Sequence, residues 1–270
     1  MRAWTLGSGS SGNALLLESG AHRILIDCGF GPRAIVTRLK AIGVDPESIS
    51  ALLLTHEHVD HAQGAERAQK KFRWPVYASA GTLGMLRDIE ARWRRPLAAG
   101  STTLLDGFSI DAIAVPHDAA SPLAFAITAT ANGARVGVAH DLGAVPDALV
   151  EAFQRCDALC VEANHDVEML RNGPYPRALQ ERIRGGRGHI SNAACGALAA
   201  TIAGPTLRAV TLLHLSEVNN TPAHAERTVA DHLRRAGYRG PVQAAARRSP
   251  APAFALSART YVSVQLSLGV

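Results

Sequence analysis

An α/β fold is what this 270-residue sequence predicts, and three observations carry the prediction. Residues 2–6, 13–18 and 22–27 read as short strands joined by Gly-rich turns, a meander that opens a sheet. Residues 51–54, Ala-Leu-Leu-Leu, form a continuous apolar run of the length of a strand buried on both faces. Beyond it, strand-like and helix-like segments alternate along the rest of the chain, and the 47% hydrophobic content is ample for a core.

Taken in order, the loop Gly7-Ser8-Gly9-Ser10-Ser11-Gly12-Asn13 after the first strand is too rich in Gly and hydroxyl groups to be a hairpin tip alone. The strand over 22–27 ends in Asp27, where a carboxylate can orient a ligand histidine from behind. Residues 31–42 read as a helix stopped by Gly43. The apolar run 51–54 leads through Thr55 into His56-Glu57-His58-Val59-Asp60-His61. Residues 61–72 then have helical spacing, 75–78 form a short strand, 82–90 a helix, and 92–95 an exposed Arg-rich connection. The alternating strand over 108–115 ends in Pro116-His117-Asp118. Asn132-Gly133 turns a hairpin between strands over 123–129 and 134–139, and the second strand runs into His140-Asp141. A buried strand over 159–161 leads to Glu162-Ala163-Asn164-His165-Asp166. After Pro174-Tyr175-Pro176 comes an Arg-bearing helix, and then Gly188-His189-Ile190-Ser191-Asn192 opens an Ala-rich helix over 191–203, capped by Ser191 or Asn192. The strand over 207–213 delivers His214, followed by Asn219 and Asn220. A helix over 222–236 and strands near 241–245 and 260–264 close the chain.

Four ligand-type residues within six positions, at the end of a buried strand, are the chemical centre of this order. In an extended segment alternate side chains share a side, so His56 and His58 can converge on one point while Asp60 and His61 address a second. Two adjacent divalent ions are the natural occupants. Imidazole and carboxylate suit Zn²⁺, the expected ion, and also Mn²⁺ or Fe²⁺, while the lack of a nearby Cys argues against a closed structural zinc site.

This HxHxDH segment resembles the signature of the metallo-β-lactamase-fold superfamily. The resemblance implies a four-layer αββα sandwich, two mixed sheets flanked by helices, with residues 1–270 as one domain. It implies that His56, His58 and His117 hold one ion, that Asp60, His61 and His214 hold the other, and that Asp141 bridges both, with Asp60 also taking part in catalysis. Asp27 stands where the family's pattern has an Asp. His140 departs from the small or hydroxyl residue expected beside Asp141 and is not counted as a ligand, and His165 is read as structural or substrate-facing. Asn13, Arg187, Asn192, Asn219 and Asn220 complete the residues expected to support the ligands or to meet substrate.

Within the superfamily, no Cys ends a strand where class B1 β-lactamases need one, and the short span from Asp141 to His214 leaves no room for the extra domain of β-CASP enzymes. The segment Gly188–Asn192 followed by a helix resembles the tRNA 3′-processing nucleases, which makes His189 the expected general acid. The combination of GSGSSGN, EANHD, GHISN and HLSEVNN is most similar to the small YycJ (WalJ) hydrolases, proposed DNA exonucleases. The implied function is a dinuclear-metal phosphodiesterase or nuclease acting on DNA. A glyoxalase II or lactonase-like hydrolase of esters or thioesters, using the same metals, is the alternative.

Charge and composition bound the setting. A net charge of +5 and a pI near 9.3 fit a polyanionic substrate, although only Lys40, Lys70 and Lys71 are lysines and an Arg-biased composition explains the count equally well. Position separates the two: Arg177, Arg182, Arg184 and Arg187 crowd ahead of His189 and are the better phosphate candidates, while Arg234, Arg235 and Arg239 look like a solvated helix end. No 18-residue apolar run and no N-terminal signal are present, so no membrane association and a cytoplasmic location are expected. Cys28, Cys156, Cys160 and Cys195 lack metal-type spacing and read as reduced packing residues.

Overall fold

The computed structural model describes residues 1–256. Strands β1 (Arg2–Gly7), β2 (Ala14–Ser19) and β3 (His22–Ile26) form the expected antiparallel meander, and β4 (Ala51–Leu53), β5 (Val76–Ser79) and β6 (Arg94–Leu97) extend it in parallel. The second sheet begins with β7 (Thr102–Leu105), β8 (Phe108–Ala114), β9 (Leu123–Ala129) and β10 (Arg135–Ala139), each antiparallel to the one before. It continues in parallel through β11 (Ala158–Glu162), β12 (Ala209–Leu213) and β13 (Val242–Ala244). Strand β14 (Ala251–Ala255) returns to pair with β1, so two seven-stranded mixed sheets result, β14-β1-β2-β3-β4-β5-β6 and β13-β12-β11-β10-β9-β8-β7.

Helices α1 (Pro32–Ala41), α2 (Val59–Ala62), α3 (Ala65–Phe72) and α4 (Ala80–Met85) follow strands of the first sheet. Helices α5 (Asp147–Phe153), α6 (Val167–Asn172), α7 (Arg177–Arg184), α8 (Asn192–Ile202) and α9 (Pro222–Arg235) follow strands of the second. Three apolar layers hold these elements together. Leu15, Ile24, Ile26 and Leu53 meet Phe108, Phe125, Ile127 and Val136 between the sheets. On the outer face of the first sheet Leu16, Leu25 and Leu52 pack on Ile35 and Leu39 of α1 and Ala65 and Ala68 of α3. Leu159, Val161 and Leu212 of the second sheet pack on Leu149, Phe153, Leu198 and Val229 of α5, α8 and α9. The result is the expected four-layer αββα sandwich. Neighbouring Leu52 and Leu53 face opposite layers, which is why β4 reads as an unbroken apolar run.

Several expectations need correction. The helix over 61–72 is two helices, separated at Gln63 and Gly64. The Gly64 amide donates to the Cys28 carbonyl, and a Cβ there would lie 1.8 Å from the Phe30 carbonyl oxygen, so the loop after β3 crosses where the helix would continue. The helix over 82–90 ends at Met85, beyond which Leu86 and Ile89 turn into the core. The Arg-rich 92–95 segment is not a loose connection: a 3₁₀ turn over Ala91–Trp93 leads into edge strand β6, and Arg94 donates to the Leu86 and Ile89 carbonyls. The strand expected near 260–264 lies outside the described residues. All four cysteines are buried, and burial pushes the Cys28 and Cys160 thiols up to about 12, as protonated packing residues. Among the described residues no helix is long and apolar enough to cross a membrane.

What positions the site is the common rim at which parallel strands end. Asp27 follows β3, Thr55 and His56 follow β4, His140 and Asp141 follow β10, Glu162 closes β11, and His214 follows β12. Carboxyl ends of parallel strands are where α/β sheets gather functional groups.

Candidate metal centre

His56 leaves β4 and His58 stands at the N-cap of α2, whose first turn carries Asp60 and His61. From the second sheet come His117, Asp141 and His214. Asp141 is the meeting point: its Oδ2 lies 3.5 Å from His56 Nε2, 3.5 Å from His117 Nε2 and 3.3 Å from His61 Nε2. His117 Nε2 is 3.3 Å from His58 Nδ1, and Asp60 Oδ2 is 3.2 Å from His214 Nε2 and 3.5 Å from His61 Nε2. Ligand atoms of His56, His58, His117 and Asp141 thus lie within 4.8 Å of one another, and so do those of Asp60, His61, Asp141 and His214.

The donor set fits divalent cations. His56 Nε2 and His214 Nε2 are buried without a directed hydrogen bond, and Asp141 Oδ1, equally buried, has only the His214 Nδ1 contact at 2.5 Å, an arrangement with room for a cation between the ligand atoms. Each cluster offers four nitrogen or carboxylate donors and no sulfur, a set compatible with Zn²⁺, Mn²⁺ or Fe²⁺.

The far sides of the rings are held. His61 Nδ1 donates to Asp27 Oδ2 at 2.7 Å, and Asp27 also accepts from His140 Nδ1 at 2.6 Å and from the Thr55 amide at 2.8 Å. His56 Nδ1 lies 3.0 Å from Thr55 Oγ1, whose proton goes to Asp27, and His117 Nδ1 donates to the Gly188 carbonyl at 2.9 Å. His58 Nε2 donates to the Asp118 carbonyl at 3.3 Å. These bonds fix which nitrogen of each ring is free to face the centre. Asn13 grips the loop from the other side: its amide and side chain donate to the Asp60 carbonyl, and Nδ2 also reaches Asp60 Oδ2 and His61 Nε2. Gly29 lets the strands close here, since a Cβ would lie 1.8 Å from the Asp60 carbonyl oxygen. Asp27 (φ 60°), Asp141 (φ 25°) and His214 (φ 52°) all have left-handed backbone, a strain that clusters at functional sites.

Electrostatics follow from burial and pairing. Burial raises the Asp27 carboxyl, but the His61 charge and the bonds from His140 and His61 outweigh it and hold the group well below the usual range. Burial, aided by His61, pushes His56 down to about 4, so this imidazole is neutral and ready to act as a ligand.

His189 faces the same cavity. Its ring centroid is 5.2 Å from those of both His117 and His214, and its Nδ1 donates to Glu162 Oε1 at 2.6 Å. Glu162 is wholly buried and also lies 3.2 Å from His214 Nδ1, while its Oε2 accepts from the Leu142 and Ile190 amides. Burial opposes its charge, yet His189 and His214 hold its carboxyl at about 2, and Glu162 in turn raises His189 against the effect of burial. Glu162 is the residue that the sequence reading leaves without a role. The clue was available, an acidic side chain ending an apolar strand as Asp27 does.

The other anticipated residues fall in different places. Arg187 donates to the His117 carbonyl. Asn192 and Asn220 are buried and bonded to each other, and Asn220 also donates to the Ala163 and Asn164 carbonyls, so both clamp loops behind the site. Asn219 is buried beside them, its carbonyl accepting from the Asp166 amide. His165 lies outside both clusters, pairs through its backbone with Ser191, and is pushed down to about 4 by burial. The cavity over the clusters measures about 240 Å³ and is lined by His58, Asp60, His117, Asp141, His189 and His214, with Leu179, Arg182 and Ile183 opposite. A larger groove of about 910 Å³ beside α5 and β8 contains none of these ligands.

Comparisons with known proteins bear on the family and the fold. A profile of the beta-lactamase superfamily domain matches residues 22–215. The chain is 30% identical over 237 residues to exodeoxyribonuclease WalJ of Streptococcus pneumoniae serotype 2 strain D39, covering 86% of this chain and 87% of that protein. It is also 30% identical over 237 residues to exodeoxyribonuclease YycJ of Bacillus anthracis, covering 86% and 89%. Among solved structures, the metallo-β-lactamase fold protein YhfI of Bacillus subtilis superposes with a TM-score of 0.69 at 17% identity, over 93% of this chain and 98% of that one.

Proposed function

On the premise that the chain belongs to the β-lactamase superfamily with the metallo-β-lactamase fold, as a hydrolase with exonuclease relatives, we propose that it is a cytoplasmic, dinuclear-metal phosphodiesterase acting on DNA. His56, His58, His117 and Asp141 would hold one ion, and Asp60, His61, Asp141 and His214 the other. Zinc is the proposed ion and residues 1–270 the single domain. When bound, such ions bring the pKa of water near neutrality and neutralise charge on the attacked phosphoryl oxygen.

The observation that carries a phosphodiester substrate is His189 on the cavity wall, bonded to the buried Glu162 behind it. An alkoxide leaving from phosphorus needs a proton, and an imidazole with one nitrogen tied to a carboxylate offers its other nitrogen as donor. Glu162 fixes the ring and stabilises its charged form until the proton is given up. Asp60, whose side chain is 20% exposed, borders the cavity where it can accept a proton from water and orient it.

The test is direct. Metal-loaded protein should degrade single-stranded DNA and hydrolyse bis-p-nitrophenyl phosphate, and Asp60→Ala should abolish both. A protein that leaves phosphodiesters intact while hydrolysing a thioester or lactone is instead the glyoxalase II or lactonase-like enzyme. Elemental analysis of protein expressed without added metal identifies the ion, and less than one ion per chain after gentle purification contradicts the dinuclear reading.

A further inference from the structure

The segment between Asp166 and Gly188 contributes α7 to the cavity lining with little packing into the core. Helix α6 buries only Leu170 and α7 buries none of its residues, yet Leu179, Arg182 and Ile183 of α7 line the cavity above the ligand clusters. Of the four arginines that crowd this stretch, Arg187 is engaged with the His117 carbonyl, and Arg182 alone of the four lines the cavity.

Arg182 has a provisional partner. Its Nη2 donates to Asp118 Oδ2 at 2.6 Å, and Asp118 Oδ1 lies 3.4 Å from His117 Nε2. The Arg182 side chain is 72% exposed and that of Asp118 32%, and an ion pair so open to water contributes little and is readily exchanged. The pair keeps an extended guanidinium beside the ligand clusters at small cost. A planar guanidinium matches the oxygens of a phosphate in the same bidentate way as those of a carboxylate.

We propose that Arg182 is the specificity-determining residue of this site, exchanging Asp118 for a phosphate neighbouring the scissile one in an unpaired polynucleotide strand. The inference rests on the phosphodiesterase reading above. Leu179 and Ile183 on the same wall give the sugar and base an apolar surface. The cavity over the clusters, about 240 Å³, is narrow for a stacked base pair, which is why the strand in this proposal is unpaired. Leu179 and Arg182 thus select a strand with an adjoining nucleotide over an isolated phosphodiester.

Steady-state kinetics on a single-stranded oligonucleotide test this. Arg182→Ala raises KM roughly tenfold, the range of one charge-assisted bond, and changes kcat by less than about twofold. The slope of log KM against log salt falls by about 0.7, the value for one phosphate contact on a single strand. Arg182→Lys restores part of the lost affinity, because it keeps the charge and not the fork. Bis-p-nitrophenyl phosphate has no neighbouring phosphate, so the ratio of oligonucleotide to ester activity drops. Arg234→Ala, on the outer helix α9 where Arg234 pairs with Asp231, serves as the control with unchanged kinetics. An unchanged KM, an equal loss on both substrates, or a fall in bound metal in Arg182→Ala overturns the assignment. A wild-type protein inactive on both substrates sinks the phosphodiesterase reading, and this proposal with it.

Discussion

The two ligand clusters share Asp141 but are held in different ways. Behind the inner cluster stand carboxylates: Asp27 at 2.7 Å from His61 Nδ1 and Glu162 at 3.2 Å from His214 Nδ1. Behind the outer cluster, that of His56, His58 and His117, the direct bonds go to neutral oxygens, the Thr55 hydroxyl and the Gly188 and Asp118 carbonyls, with carboxylates one step further off: Asp27 beyond Thr55, and the Asp118 side chain 3.8 Å from His58 Nε2. The His61 side chain is 0% exposed, whereas that of His58 is 33% exposed at the cavity mouth. A carboxylate behind an imidazole raises its basicity and fixes its orientation, and such partners alter metal affinity by about 10–100-fold. With both clusters loaded, Asp141 would join a more tightly held position at Asp60, His61 and His214 to a more exchangeable one at His56, His58 and His117.

The most severe way to break this comparison is to remove what the clusters share. Asp141→Ala should lose both ions by elemental analysis and reduce phosphodiesterase turnover on the order of a thousandfold or more. Retention of one tightly bound ion would show that Asp141 serves a single cluster.

Next in size is the contrast between His214 and His189, neighbours on Glu162 with different duties. His214→Ala should bind fewer than two ions. His189→Ala should bind two while cleaving DNA about 10²–10⁴-fold more slowly and the activated nitrophenyl ester comparatively well. The opposite pattern of metal content reverses the two assignments.

The smallest effect sharpens the inequality itself. Chelator titration of the wild type should remove the ions in two steps, and Asp27→Asn, which leaves every ligand in place, should weaken the inner position by about 10–100-fold and the outer one, which meets Asp27 only through Thr55, by less, bringing the steps together. A single step in the wild type means that the clusters are equivalent.

How much of this is legible in the sequence depends on how local each feature is. His56, His58, Asp60 and His61 are legible because they are contiguous and follow an apolar run, and His117, Asp141 and His214 because each follows a strand at a position that matches the superfamily's pattern. Glu162 has the same strand-end position, but its role arises only because β11 lies between β10 and β12, which brings it to both His189 and His214. The Asp118–Arg182 pair spans 64 positions and has no local mark at all. Asn192 and Asn220 show the converse: their polarity is evident, but only the fold reveals that they turn inward to each other. The break in the helix over 61–72 belongs to the same class, because the carbonyl of Phe30 that crowds Gly64 comes from a distant turn.

Each cluster draws on both sheets. His56, His58, Asp60 and His61 belong to the loop after β4, while His117, Asp141 and His214 belong to the ends of β8, β10 and β12. A cation bound at either position is therefore a cross-link through the seam of the sandwich, and docking of one sheet on the other is thermodynamically linked to metal supply. An ion present at a hundredfold excess over its Kd stabilises the docked form by about 2.7 kcal/mol, a large share of the margin of an ordinary domain. Scarcity of metal would then act on the fold as well as on the proposed catalysis. It would also weaken the seam on which the site is built, so that the stability of the protein would report on the metal available to it.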